Sequence, residues 1–399
     1  MKRIVLFAAI LFASAAVVFA DFGVVLSEGF LIETKDETDF ASKTTVAPWF
    51  SIPFENSDFY VSAGMSVHYE DEFSFVPELF RMELTLRPSP RFGARLGRIP
   101  WQDPSLFTAF GYLDGADIFL NLGTIRLAAA GFYTGFLNKK TASINISPGD
   151  PKDYSADFDW SDFGNTYFAA RRVLASLYGD FPGFPYGRGN IYAGLLAQFD
   201  LSEAEQRYNT QYLLLRYTFY YKRFDFAAAG AMEFVNTEGH SVPTDGFNLA
   251  YAFSMEAGLQ TGFLRDRLSF GLRYASGGDE DSAAFFPVIR EAQGAVLTPV
   301  FSGMMTIRGI YQVRFTPSLA AYLGGRYFIR TDTTSFADPH IANDSRLLGA
   351  EADGSLQWNP FSDLSFSASG GIYFPKTGQA MASDAAARWS FKINAIFSF

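Results

Sequence analysis

The chain of 399 residues has no cysteine, so disulfide scaffolds and thiolate metal sites are excluded. Charge is sparse, with only 19% Asp, Glu, Lys and Arg, and the balance is acidic, −10 at neutral pH. A basic nucleic-acid surface is therefore disfavoured, and no nucleic-acid partner is expected. Histidine is nearly absent, at three residues (His68, His240 and His340). That leaves little for an acid/base or nucleophilic constellation, so the chain is not expected to be an enzyme. Beyond the N-terminus there is no unbroken apolar run near the ~18–20 residues that a spanning helix needs. No spacing matches a calcium loop, and no metal or cofactor is expected.

What the chain does have is aromatic side chains: 44 Phe, 20 Tyr and 5 Trp make up 17% of it. Disorder is incompatible with that content. At the start, Lys2 and Arg3 precede an apolar stretch from Ile4 to Phe19 that closes with Ala20 before Asp21. This is the layout of a cleavable secretory signal, residues 1–20, leaving 21–399 as one domain carried across an inner membrane.

From Asp21 onward the dominant pattern is alternation. In 248–260, Leu249, Tyr251, Phe253, Met255, Ala257 and Leu259 fall on one face, and small or polar residues fall on the other. Residues 80–87, 213–221, 307–315, 348–358 and 388–399 read the same way. The alternating stretches commonly exceed the ~5–6 residues of soluble strands and match the ~9–11 of tilted membrane strands. About eighteen strands (16–18) can be placed, from 22–34 to 388–399, with the eighth at 166–179 and the fourteenth at 299–315. Links after even-numbered strands are tight, such as Gly123-Thr124 and Lys222-Arg223, whereas most odd-numbered strands precede long polar loops.

Short turns on one rim and long loops on the other imply an all-β, transmembrane, antiparallel up-and-down barrel in the outer membrane. The turns would be periplasmic and the long loops extracellular. Outer-membrane lipid would cover the apolar face, because a sheet in hydrocarbon must close on itself.

The opposite parity would line a water-filled bore. It carries Arg81, Arg87, Arg95, Arg126, Arg216, Arg273, Arg308, Arg314, Arg326, Arg388 and Lys392. The inward acids are Glu83, Asp117, Glu233, Glu256, Glu351 and Asp353. Basic groups outnumber acidic ones on this face, which points to a pore for small polar, anionic solutes. The same charges could instead pair across strands and tie the wall together. Loop 137–165, with Asp150, Tyr154, Asp157 and Trp160, is the candidate constriction. An adhesin or structural barrel with acidic binding loops is the alternative, and a homo-oligomer is left open.

The whole pattern resembles Gram-negative outer-membrane channels. The last strand, with Trp389, Phe391, Ile393, Phe397 and terminal Phe399, resembles the signal read by the barrel-assembly machinery. Leu96-Gly97-Arg98 followed by Asp114-Gly115-Ala116-Asp117 resembles the large porin and alginate-export-type families, as does Leu348-Gly349-Ala350-Glu351-Ala352-Asp353 followed by Phe374-Pro375. That resemblance implies passive diffusion, or polysaccharide export in which Arg98, Arg126, Arg308 and Arg326 contact anionic sugar polymers. Arg98 departs from the inward parity of its strand.

Overall fold

The computed structural model describes residues 21–34, 38–70, 72–146, 154, 156–184, 187–202, 207–238, 248–278, 283–336 and 338–399. Residues 1–20, expected to be the signal, and Asp150 and His240 lie outside the described residues. The first strands are β1 (Asp21–Thr34), β2 (Thr38–Phe54), β3 (Ser57–Tyr69), β4 (Phe73–Leu86), β5 (Phe92–Gln102) and β6 (Phe110–Leu122). Next come β7 (Ile125–Tyr133), β8 (Arg172–Pro182), β9 (Gly189–Asp200), β10 (Arg207–Tyr221), β11 (Phe224–Glu238) and β12 (Asn248–Leu259). The last are β13 (Arg267–Ala275), β14 (Met304–Thr316), β15 (Leu319–Arg330), β16 (Leu347–Trp358), β17 (Leu364–Pro375) and β18 (Arg388–Ser398).

Each strand pairs antiparallel with the next, and β18 returns to β1 in register from Val25 opposite Ser398 to Thr34 opposite Trp389. The 18-stranded sheet is therefore closed. Val24 and terminal Phe399 exchange backbone hydrogen bonds of 2.7 and 3.1 Å, so the last residue finishes the ladder.

Side-chain alternation explains the sheet. In β10, Tyr212 and Leu214 are buried on the inner face, while Leu213 and Leu215 are 47% and 53% exposed on the outer one. The same outward face carries Met232, Tyr251, Phe270, Ile307, Leu323 and Leu356, all exposed. A surface of this kind would be costly in water and is satisfied by acyl chains. Phe50 packs on Phe59 near the tight turns, and Phe30, Phe40, Tyr69 and Phe73 form a chain of ring contacts toward the other rim. Aromatic girdles at the two interfaces are the usual finish of such a wall.

The two rims differ as the sequence predicts. Glu55, Gly123 and Lys222 adopt left-handed φ values of 51, 68 and 55° in the tight turns, the backbone that short hairpins demand. At the far rim, 134–171 contains α1 (Lys139–Ala142), a 3-10 turn (Trp160–Asp162) and α2 (Phe163–Thr166). Strand β8 begins at Arg172 rather than 166, because the Asp159 side chain caps the turn by accepting from the Ser161 N–H. Strand β14 begins at Met304 rather than 299, because the preceding segment is spent inside the barrel.

That interior is partly filled. Strand β5 pairs with β4 only from Ala94 to Arg98, opposite Leu86 to Met82. Beyond that point the β5–β6 hairpin leaves the wall and crosses the bore. Gly97 permits the departure: its φ is +110°, and a Cβ there would lie 2.1 Å from the Met82 carbonyl oxygen.

At the hairpin tip, Phe107 packs edge-on against Phe285 and Phe301 of segment 283–303, with centroids 6.2 and 5.2 Å apart. The Ile289 N–H donates to Thr108 O, and Ile144 bridges to Ile289. Together with Leu113, Leu137, Leu174, Tyr212 and Val288, these residues form a hydrophobic core inside the barrel.

Candidate pore and its lining

The inserted segments crowd the side of the bore bounded by β7–β13. A cavity of about 900 Å³ lies against the inner faces of β1–β4, β17 and β18. Its walls include Tyr60, Leu31, Tyr112 and Asn394, and its charged lining is Lys43, Arg81, Arg98, Arg290 and Lys392 with the carboxylates Glu28, Glu70 and Glu78.

Most of the charged side chains placed inward by the sequence are paired. Arg81 meets Glu83 at 2.7 Å and lies over the Tyr60 ring. Arg95 meets Asp117 at 2.6 Å, Arg126 reaches the same carboxylate at 3.8 Å, and the Tyr178 hydroxyl donates to it at 2.7 Å. On β11–β14, Glu256 joins Arg308 (2.5 Å) to Arg267 (2.7 Å), which also holds Asp225. Arg326 binds Asp353, Glu351 at 3.2 Å and the Tyr322 hydroxyl. Arg216 lies over the Tyr192 ring. Arg87 and Arg314 line separate crevices, the first with turn residues Glu55 and Ser89, the second beside Arg265 and Arg267.

Several of these groups hold the inserted segments in place. Glu351 accepts from the N–H groups of Ala295, Val296 and Leu297 at 2.7, 3.0 and 2.8 Å. Glu233 accepts from the Phe286 N–H at 2.7 Å, and Arg273 binds Glu291 at 2.7 Å and Gln293 at 3.1 Å. Arg388 clasps Asp338 at 2.7 Å and contacts the His340 ring at 2.8 Å, docking segment 331–346 on β18. Burial by itself would raise the Asp338 carboxyl; hydrogen bonds from Arg388 and the His340 N–H outweigh it and hold the group below the ordinary carboxylate range. At the hairpin tip, burial pushes the Asp103 carboxyl up, although it accepts from the Ser105, Thr108 and Ala109 N–H groups.

Arg98 stands opposite Met82 in the ladder, on the lipid-facing parity, as its strand position implies. Because the hairpin departs there, the guanidinium is covered. It binds Asp114 at 2.6 Å and the carbonyls of Leu79 (2.6 Å) and Phe136 (3.0 Å). Tyr167 is also in hydrogen-bonding reach of it, and Glu78 faces Thr141 nearby.

Segment 137–165 splits in two. Leu137 and Ile144 go into the internal core. Tyr154 packs against that core and its hydroxyl accepts from the Ala170 N–H at 2.6 Å. Trp160 is 61% exposed in a cluster with Phe158 and Phe163, and Asp157 reaches Lys140 at 3.5 Å from an exposed position. The segments that meet in the bore's internal core are 103–109 and 283–303, which sequence reasoning passed over. Their signal was an apolar run, Phe285-Phe286-Pro287-Val288-Ile289, in a loop otherwise expected to be solvated.

Three cations lining the cavity, Lys43, Arg290 and Lys392, form no ion pair among the described residues. Lys392 was expected inside; Lys43 and Arg290 were not. Lys43 is legible from the parity of β2, where Thr45 and Ala47 are buried on the inner face. At the C-terminus the Phe397 and Phe399 rings lie 5.1 Å apart. Among the described residues no group of three or more His, Asp or Glu is placed to hold a metal.

No protein-family model matches the sequence, and no curated protein does. Solved structures do. Pseudomonas aeruginosa OccK8 (OprE) aligns with TM-score 0.62 at 11% identity, covering 95% of this chain and 98% of that one. OccK2 (OpdF) of the same organism, in complex with glucuronate, gives 0.60 at 12%, covering 95% and 98%. The outer membrane protein OprD gives 0.59 at 14%, covering 95% and 93%. Along nearly its whole length, therefore, the chain has the closed, 18-stranded transmembrane barrel fold of these outer-membrane proteins.

Proposed function

We propose that this chain is a passive outer-membrane channel for small polar solutes, with anions favoured, and not an enzyme. The carrying observation is electrostatic. Wall charges of both signs neutralise one another in many pairs, and the cavity lining sets five cationic side chains, Lys43, Arg81, Arg98, Arg290 and Lys392, against three carboxylates, Glu28, Glu70 and Glu78. Fixed positive charge in a confined aqueous path raises the local concentration of anions over cations. Arg81, Arg126, Arg308 and Arg326 then act chiefly as wall ties. The OpdF complex with glucuronate sets a small carboxylated sugar in a barrel of the same fold, which supports a small anionic solute. Because inserted segments occupy much of the bore, small solutes are favoured over a polysaccharide chain.

Segment 1–20 serves as the export signal in this reading, and the β18 aromatics with Phe399 serve the assembly machinery. The test is a planar-bilayer recording under a salt gradient. The native barrel should carry current with an anion-favouring reversal potential. Lys43→Glu combined with Lys392→Glu should move that potential toward cations. Current at the lipid background would refute the channel and leave a surface-binding barrel. An unchanged reversal potential in the double variant would refute the assignment of those two lysines.

A further inference from the structure

A second group of cations lies away from the cavity, at the tight-turn rim. On the β13–β16 wall, Arg267, Gln312, Tyr322 and Ser355 stand opposite one another as one row across four strands. The next row toward the turns is Arg314, Ala320 and Gln357. Gln312 and Arg314 share the parity of Arg308 on β14, and Arg267 shares Glu256 with Arg308, so both rows face the bore. Arg265, from the β12–β13 turn, completes the group, and together they line a crevice of about 510 Å³. Each of the four strands contributes residues within a few positions of its tight-turn end, which sets the crevice at the periplasmic mouth.

Its positive charge is uncompensated. No carboxylate lines the crevice. Arg267 is held by Asp225 and Glu256, but Arg265 and Arg314 form no ion pair among the described residues. The adjacent Asp266 is turned away, accepting from the Thr261 and Tyr311 hydroxyls, and Tyr311 has the lipid-facing parity of Ile307. The Gln312 and Gln357 carboxamides and the Ser355 hydroxyl have no protein partner among the described residues, so they are free to donate. Two unpaired guanidiniums on one crevice repel each other, and an anion between them relieves that repulsion. A carboxylate presents two oxygens in a plane and matches one guanidinium fork. A phosphate monoester presents three oxygens and carries about −1.5 to −2 charge at neutral pH, so it can serve two forks at once.

We propose that this crevice is a phosphate-binding site at the periplasmic end of the bore, taking the free ion or the phosphate group of a small phosphorylated solute. Arg265 and Arg314 bind the anionic oxygens, Gln312, Gln357 and Ser355 donate to those left over, and the short side chain of Ala320 leaves room beside Arg314. As a resting place for a solute leaving the pore, the site depends on the channel reading above; as a binding site it does not.

Binding is measured on the folded barrel in a maltoside detergent at about pH 7.5, where the phosphate is mostly dianionic, by phosphorus NMR line broadening of inorganic phosphate and of glycerol 3-phosphate. Both guanidiniums are exposed, and Arg265→Gln combined with Arg314→Gln should weaken binding tenfold or more. Lys43→Glu combined with Lys392→Glu should leave it unchanged. Equal affinity for the two probes assigns the site to the phosphate group alone, and tighter glycerol 3-phosphate assigns it to the ester. Displacement by glucuronate at equal concentration overturns the phosphate assignment. No binding to the native barrel, or native affinity in the arginine double variant, overturns the site. The assay draws no current, so its failure is distinct from failure of the channel, which shows as absence of conductance.

Discussion

Glu351→Ala tests whether the polar interior ties down the segment that narrows the bore. The carboxylate accepts three N–H groups from consecutive residues Ala295, Val296 and Leu297, at 2.7–3.0 Å, and is almost wholly buried. Hydrogen bonds to a charged group contribute about 1.5–3 kcal/mol each, and removing the acceptor leaves buried donors unsatisfied. Three such bonds do not add fully, so about 3 kcal/mol of lost anchoring is a low figure for the set.

At about 1.4 kcal/mol per tenfold, that loss raises the undocked fraction of segment 283–303 roughly 100-fold. Arg326 keeps Asp353 as a partner, so the variant strands no buried cation. Single-channel recording should show frequent excursions to a higher conductance, rare or absent in the native barrel. Glu351→Gln, which retains an acceptor oxygen without its charge, should fall between the two. A Glu351→Ala barrel that folds, as judged by its heat-modifiable gel mobility, yet records native conductance and noise would refute the anchoring argument.

Arg308→Ala should shift the reversal potential far less than Lys43→Glu, because it removes a cation already neutralised by Glu256, and the same bilayer measurement checks it. Asp338, held below its ordinary value of 3.8, stabilises the docking of 331–346 on β18 above that pH. The contribution is lost as pH falls through the lower folded value, so current noise from this loop should be flat from pH 7 to 5 and rise only below about pH 4. Arg172→Ala removes the guanidinium 2.5 Å from buried Asp200, which keeps the Ser202 and Tyr208 N–H groups as donors, and should cost about 3 kcal/mol, read as a lower unfolding temperature in detergent. Gly97→Val combines an unfavourable φ with a clash at the Met82 carbonyl and should cut the yield of folded barrel sharply.

The barrel was legible because its signals are local. Alternation of Leu213, Leu215 and Tyr217 against Tyr212, Leu214 and Arg216 needs no knowledge of the rest of the chain. Turn length is equally local, and the sorting of short and long links fixed the rims. The bore was not legible in the same way, because its contents meet from distant segments. Phe107, Ile144, Phe285 and Phe301 touch only after the β5–β6 hairpin leaves the wall, and the cause of that departure, a left-handed backbone at Gly97, has no period to detect.

The charge tally shows the consequence. Counting only strand parity, the inner face has a surplus of arginine, and every inward Arg looks like a selectivity group. Folding the segments inward brings in acids that parity does not count. Glu291 reaches Arg273 and Asp338 reaches Arg388, while Glu256 serves both Arg267 and Arg308. An ion pair in a confined, partly desolvated site presents little net field to a passing solute. Selectivity therefore follows the charges that no ion pair takes up: Lys43, Lys392 and Arg290 on β2, β18 and the inserted segment, set against Glu28, Glu70 and Glu78 on the same cavity. Strand parity says which side chains face inward; the long loops decide which of those keep their charge for the solute.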